Sequence, residues 1–443
     1  MENPTSNYRF RAVAAGLALV LAMVAFVFHS SINGQVRALM GMVAFILTAV
    51  VFSANPNGIR WSFIARGVAL QVILAIVILK LSIGDIRPGY IAFSWFAAGV
   101  TRFLEFTSVG AIFVFGELAE PQEMASVFPN GFVLAFAALP IIVFVSAVFT
   151  VLYHLRVIQL VVRLLAKLMM PVLGTSGAET LSAVANVFMG QTEAPIIVKP
   201  YIPRMTQSEL LALMTGGLST IAGSMFAVYV GLGADPVAML TTSVMAAPCG
   251  LYLAKILVPE TETPVTLGDA HVAVDSEHAN VVDAAASGAS NGMQLALNVA
   301  AMLIAFLAFI AMIDYLLAVI RPGLSLSVVM AIFFSPVAAL IGAPSSDVLV
   351  IADLLGTKLV TNEMVSYVKL NVEYSGVISD RGHILATYAL TGFANLGSIG
   401  VLLGGIGGMA PGRRADLARL SSKALLGGFI ATLINAAIAA ILL

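Results

Sequence analysis

Two glutamates stand out for where they sit. Glu193 lies in Gly190-Gln-Thr-Glu-Ala-Pro195 and Glu363 in Thr361-Asn-Glu363, and each polar knot interrupts strongly apolar sequence. An acidic side chain at the centre of a bilayer costs about 2.5–3.5 kcal/mol on insertion scales, so one retained at that depth marks a functional site. Taken by itself, Glu363 reads equally well as a solvated loop acid; its partner in the other half of the chain tips the balance.

The elements that must carry these knots belong to a membrane. Of 443 residues, 60% are hydrophobic and 10% charged, and the mean hydropathy is +1.01. Soluble domains hold about 45–50% apolar and roughly 25% charged residues, which excludes a soluble enzyme. Apolar blocks at 12–28, 38–52, 131–153, 293–320 and 424–443 approach the ~20 residues that span a bilayer. A formal net charge of −1 argues against nucleic-acid binding. The single cysteine, Cys249, excludes an internal disulfide. The fold class is therefore an all-α polytopic membrane protein with about nine transmembrane helices plus interfacial helices.

Around Glu193, Ser176-Gly-Ala-Glu179 and Thr206-Gln-Ser-Glu209 both match the capping box. Between them a helix from Gly177 to Gly190 would reach only about 20 Å, against a hydrocarbon core of about 30 Å. A half-helix, a polar tip and a return through Pro203 and Arg204 predict a re-entrant hairpin, because irregular backbone at membrane depth is tolerated only inside protein or beside a water-filled cavity. The second half repeats the order: Asp347 to Leu355 is apolar, Gly356 to Glu363 is broken and polar, and Met364 to Leu370 returns. Each hairpin precedes a span rich in small and polar residues, Thr215–Ser224 and Thr391–Gly400. Laid together at their shared Thr-Gly, Ser219 falls on Asn395 and Ala222 on Ser398. Interrupted segments at corresponding positions in two halves point to a transporter whose site lies near the midplane.

Basic residues orient the chain. Arg9 and Arg11, Arg60 and Arg66, Arg156, Arg163 and Lys167, and Arg413, Arg414, Arg419 and Lys423 place the N-terminus in the cytoplasm and the C-terminus in the periplasm. The spacing of Arg156, Arg163 and Lys167 predicts an interfacial helix over 154–169, with a span end carrying snorkelling bases as the alternative. The chain divides into an additional N-terminal transmembrane helix (1–32), scaffold helices (33–153), a first core half (154–258), an acidic cytoplasmic linker (259–292) with Glu260, Glu262, Asp269, Asp275, Glu277 and Asp283, and a second core half (293–443).

Competing chemistries find little support. His29, His154, His271, His278 and His383 form no H-E-x-x-H zinc motif. Gly288-Ala-Ser-Asn-Gly292 matches G-x-S-x-G, but a nucleophile elbow needs a strand before it and a helix after. Gly404-Gly-Ile-Gly-Gly408 lacks the Lys-Ser/Thr of a phosphate loop and reads as a helix end.

The segments 174–202, 205–224, 297–306, 362–367 and 388–405, with GQTEAP intact and NEMVSY at the second tip, resemble the concentrative nucleoside transporter family, closest to its sodium-coupled, bacterial branch. The resemblance runs from about Gly41 to the end. It implies a homotrimer in the bacterial inner membrane and an inverted-repeat fold that imports nucleosides with Na+ by alternating access. It assigns Gln191, Thr192 and Glu193 to the base, Met225 and Phe393 to packing against it, and Glu363, Asn395 and Ser398 to the ribose hydroxyls. It places Na+ at the side chains of Asn186 and Thr220 and the carbonyls of Met189 and Ile221. The groups suit these tasks: vicinal hydroxyls pair well with carboxylate, amide and hydroxyl, and a hard cation takes oxygen ligands. Met225 stands where the family usually has a smaller aliphatic residue. A proton-coupled nucleoside symporter is the alternative; a cation channel or an intramembrane enzyme stands behind both. A simple pore would have no need of Phe393 or Gln191.

Overall fold

A computed structural model describes residues 4–120, 123–124, 133–137, 139–267 and 278–443. Part of the apolar block 131–153 and the linker residues Asp269, His271, Asp275 and Glu277 lie outside the described residues. Among the described residues, eight helices are long and apolar enough to cross a membrane, or nine if one bent pair counts as a span.

The first four helices are α1 (Pro4–Val27), α2 (Gly34–Val51), α3 (Trp61–Leu79) and α4 (Pro88–Phe115). The bent pair follows: α5 (Leu139–His154) and α6 (Val157–Leu173) meet at 70°, with Arg156 at the corner in a left-handed conformation, φ 61°. Along α6, Leu160, Leu164 and Leu168 are exposed beside Arg163 and Lys167, while Val162, Ala166 and Leu173 are buried. An apolar outer row flanked by bases suits a helix lying in an interface.

The first hairpin enters through α7 (Gly177–Ala185). This helix stops short of the expected Gly190, and the return arm is built of turns and 3-10 stretches at Ala194–Val198 and Ile202–Arg204. Gly190, Pro195, Pro200 and Pro203 explain this, since each proline lacks the N–H that a helix interior needs. Both capping boxes form, and they are tied together: Ser176 Oγ donates to Glu209 at 2.6 Å, and Lys255 pairs with Glu179 at 2.7 Å.

Next come α8 (Gln207–Ser219), α9 (Gly223–Gly231) and α10 (Pro236–Leu257). The second half holds α11 (Val281–Ile320), α12 (Leu326–Leu340), the second hairpin as α13 (Val348–Val360) and α14 (Glu363–Val368), then α15 (Asp380–Leu390), α16 (Leu396–Met409) and α17 (Arg414–Leu442). The break in this hairpin is narrower than the expected 356–363. Gly356 stays helical because its bare backbone accepts Met330 of α12; a Cβ there would lie 2.3 Å from the Met330 Cβ.

The Thr-Gly register also needs correction. Thr215-Gly216 lies inside α8, whereas Thr391-Gly392 is itself the break between α15 and α16. The matching caps are Ala222 before α9 and Asn395 before α16, a shift of three from the sequence alignment.

Residues 281–292, expected in the linker, belong to α11, which is capped by Asn280. Ala284, Gly288, Gly292 and Ala296 are buried at four-residue intervals, so the G-x-S-x-G match is a packing stripe against α5. A Cβ on Gly288 would meet Thr150 Oγ1 at 2.6 Å and Ala147 Cα at 2.7 Å, so Gly288→Ala should force the helices apart. Overpacking of this kind costs about 1–3 kcal/mol. A lowered thermal midpoint in detergent is expected for Gly288→Ala and not for Gly404→Ala, where a Cβ meets nothing within 4 Å.

The two hairpins open at opposite ends of the bundle. At one end Ala54 N–H donates to Leu257 O (2.7 Å), and Ser208 at the base of α8 donates to Val258 O (2.7 Å). At the other, Gln35 reaches Ile441 O (3.2 Å), Arg381 reaches Ala440 O (2.8 Å), and Ser379 donates to Asp347 at the base of α13. That inversion brings both tips to the middle.

Candidate functional site

The hairpins and broken helices converge in a mid-bundle cavity of about 180 Å³. Gln191, Thr192, Glu193, Met225, Glu363, Phe393, Asn395 and Ser398 all line it. The first tip is held by close backbone contacts. Gly217 of α8 accepts Gln191, whose Cβ would lie 2.9 Å from an added Cβ, and Gly405 of α16 accepts Thr192 at 2.6 Å by the same measure. Glu193 folds back to accept the Gly190 N–H (3.0 Å) and presents its surface to the cavity. The buried Gln191 Oε1 has no partner within the protein; such a group is costly unless something in the cavity satisfies it.

From the second half, Glu363 begins α14, and Asn362 caps that helix by accepting the Val365 N–H at 2.9 Å. The Glu363 carboxylate accepts Tyr229 OH (2.7 Å) on one oxygen and Asn395 Nδ2 (2.9 Å) on the other. Asn395 in turn accepts the Ser398 N–H at 2.8 Å as the cap of α16. Cap, amide and carboxylate thus form one rigid acceptor array at the cavity wall. The remaining carboxylate lone pairs can take further hydroxyl donors.

The four residues expected around a cation are also adjacent. Asn186 caps the C-terminus of α7 and Thr220 that of α8, so the negative ends of two short helices meet there. Asn186 Nδ2 donates to Ser182 O (2.9 Å), while its Oδ1 is buried with no partner. The Thr220 hydroxyl donates to Gly216 O at 3.2 Å, which leaves its lone pairs open. Among the described residues, no backbone N–H donates to the carbonyls of Met189 or Ile221. This donor set is all oxygen and fits a hard monovalent cation. The two breaks then cross: Phe393 N–H donates to Thr220 O at 3.0 Å, joining the wall of the cavity to the cation pocket through one peptide.

Reading the sequence left out two contributors. Tyr229, fully buried and stacked on Tyr367 at 4.6 Å, orients Glu363 from the far end of α9. Leu295, Val299 and Met302 of α11 close the apolar side of the cavity. A tyrosine on an apolar helix gives no local signal of such a role.

Profiles of known families cover most of the chain. The Na+ dependent nucleoside transporter N-terminus matches residues 40–118, Nucleoside recognition 135–236, and the Na+ dependent nucleoside transporter C-terminus 238–440. An uncharacterized transporter of Haemophilus influenzae is 42% identical over 91% of this chain and 96% of its own. Sodium/nucleoside cotransporter 1 of Mus musculus is 38% identical over 97% of this chain and 67% of its own. The structure of CNTnw in an inward-facing substrate-bound state superposes with a TM-score of 0.87 at 41% identity, over 92% of this chain and 98% of that one. A CNTnw variant in an outward-facing state gives 0.87 at 39% identity, with the same coverage. By these matches along nearly its whole length, the chain belongs to the Na+ dependent nucleoside transporter family.

Proposed function

We propose that the cavity between the two hairpin tips is the nucleoside site of this protein, with Gln191, Thr192 and Glu193 addressing the base, Met225 and Phe393 packing on it, and Glu363, Asn395 and Ser398 holding the ribose hydroxyls. The protein is a multi-pass membrane symporter that moves nucleosides with sodium by alternating access. The observation that carries the site assignment is the meeting of all eight side chains in one cavity beside the unpartnered Asn186 oxygen.

Sodium at Asn186, Thr220 and the carbonyls of Met189 and Ile221 would brace the α8 break on which the Gln191 tip rests. The nucleoside site then forms well only with the ion bound, and that linkage is reciprocal for binding. One Na+ crossing 100 mV supplies about 2.3 kcal/mol, roughly forty- to fiftyfold accumulation at ~1.4 kcal/mol per tenfold. In this reading residues 33–153 form the scaffold of a homotrimer, and the core halves 154–258 and 293–443 move past it as a unit. The N-terminus is cytoplasmic and the C-terminus periplasmic; the support is that Arg11, Arg66, Arg413 and Lys423 gather at one end, bonding Ser53, Val172, Met205 and Leu257 carbonyls.

Uptake of labelled uridine into proteoliposomes tests the reading. An imposed sodium gradient should drive saturable uptake that other nucleosides compete for. Uptake driven by a pH gradient in choline, with none from sodium, would overturn the cation assignment at Asn186 and Thr220.

A further inference from the structure

Deep in the second half lies a cation that neither the cavity nor the sodium pocket uses. Lys358, in the last turn of α13, is 0% exposed. Its ammonium donates to Ala389 O (2.8 Å) and Thr432 Oγ1 (3.0 Å) and lies 5.4 Å from the centre of the Phe429 ring. These partners are all neutral, and the Glu363 carboxylate acts on it only at a distance, without a hydrogen bond. A charge buried among neutral partners carries a desolvation penalty that an apolar residue of similar volume would avoid. Filling space does not explain a lysine here.

Its position has a counterpart in the first half. Asn186 follows the end of α7, and an added Cβ on Gly216 of α8 would lie 3.1 Å from its Nδ2. Lys358 stands in the last turn of α13 and reaches Ala389 of α15. Gly216 and Ala389 stand at the same step from the caps of their helices, Thr206 and Ser379. A threonine, Thr220 or Thr391, follows each helix end. In each half, therefore, the negative ends of two short helices converge, an arrangement that attracts a cation. The first half offers an unpartnered oxygen there, Asn186 Oδ1; the second already contains an ammonium.

We infer that Lys358 is a built-in cation: its ammonium stands where the second half of the inverted repeat would otherwise bind a second sodium ion. The protein therefore takes up sodium at only one of two symmetry-related pockets. The consequence for stoichiometry rests on the nucleoside-symport reading, whereas the count of bound ions does not.

Equilibrium binding of ²²Na+ to the purified full-length protein tests this directly. About one ion per protomer is expected for the wild type, and about two for Lys358→Asn, which replaces the ammonium by the oxygen ligand of the first half. In proteoliposomes the ratio of sodium to uridine taken up should rise from about one to about two in the same variant. A wild type that binds about two ions overturns the inference, as does a folded Lys358→Asn that still binds about one. Should Lys358→Asn fail to fold, Lys358→Gln, a neutral amide on a stem of similar length, is counted in its place: a count of about two ions supports the inference and about one overturns it. One bound sodium without any nucleoside uptake would sink the symport reading and leave the role of Lys358 standing.

Discussion

Glu363→Gln is expected to lower apparent uridine affinity by about ten- to a hundredfold while leaving the thermal midpoint nearly unchanged. The carboxylate receives two donors at once, Tyr229 OH and Asn395 Nδ2. A glutamine can keep Asn395 Nδ2 on its oxygen and donate its amide to Tyr229 OH, which also accepts, but it loses the charge and the second acceptor oxygen that would hold ribose hydroxyls. A hydrogen bond to a charged group contributes about 1.5–3 kcal/mol, and every ~1.4 kcal/mol is tenfold in affinity. The loss should fall on the sugar: 2′,3′-dideoxyuridine, which lacks the hydroxyls assigned to Glu363, should bind the variant and the wild type about equally. If uridine affinity is unchanged in Glu363→Gln, the glutamate does not belong to the site. A general loss of protein from the membrane would instead mean that the Tyr229–Glu363–Asn395 array serves folding.

Asn186→Ala should raise the sodium concentration for half-maximal uptake by about tenfold or more, since it deletes a buried, unpartnered amide oxygen at the junction of α7 and α8. A single ligand to a hard cation is comparable to a charge-assisted hydrogen bond, about 1.5–3 kcal/mol. Reciprocity sets a second expectation. At low sodium the variant should also bind uridine more weakly, and saturating sodium should restore it, because the nucleoside contacts themselves are intact. A Glu363 variant would show no such rescue. Sodium dependence identical to the wild type would remove Asn186 from the cation pocket, whatever happened to uptake.

The residues differ in how much of this their sequence context reveals. Ser176 with Glu179, and Thr206 with Glu209, are legible because a capping box is a contact between positions three apart, and both form as read. The tip Gly190–Pro195 is legible because a glycine and a proline bracket three polar residues within a short apolar segment, and the proline lacks the N–H that a helix interior needs. The end of α7 at Ala185 is not, since nothing local forbids four more helical residues. The opposite error came at Gly356 and at Gly288 and Gly292. These glycines looked like breaks or linker, but each is a place where a neighbouring helix presses against bare backbone.

Sequence by itself determined that this is a polytopic membrane protein, that it has two interrupted halves, and which polar residues are retained inside it, since composition and spacing of a few residues carry those facts. Only the tertiary structure decided which of them meet. Tyr229 reaches Glu363 across 134 positions, the Phe393 N–H crosses to Thr220, and Lys358 finds Thr432 on the last helix. Each pair is set by the inverted packing of one half on the other. Contacts made at that separation leave no period or pattern in the chain, because their geometry exists only once the helices have closed around them.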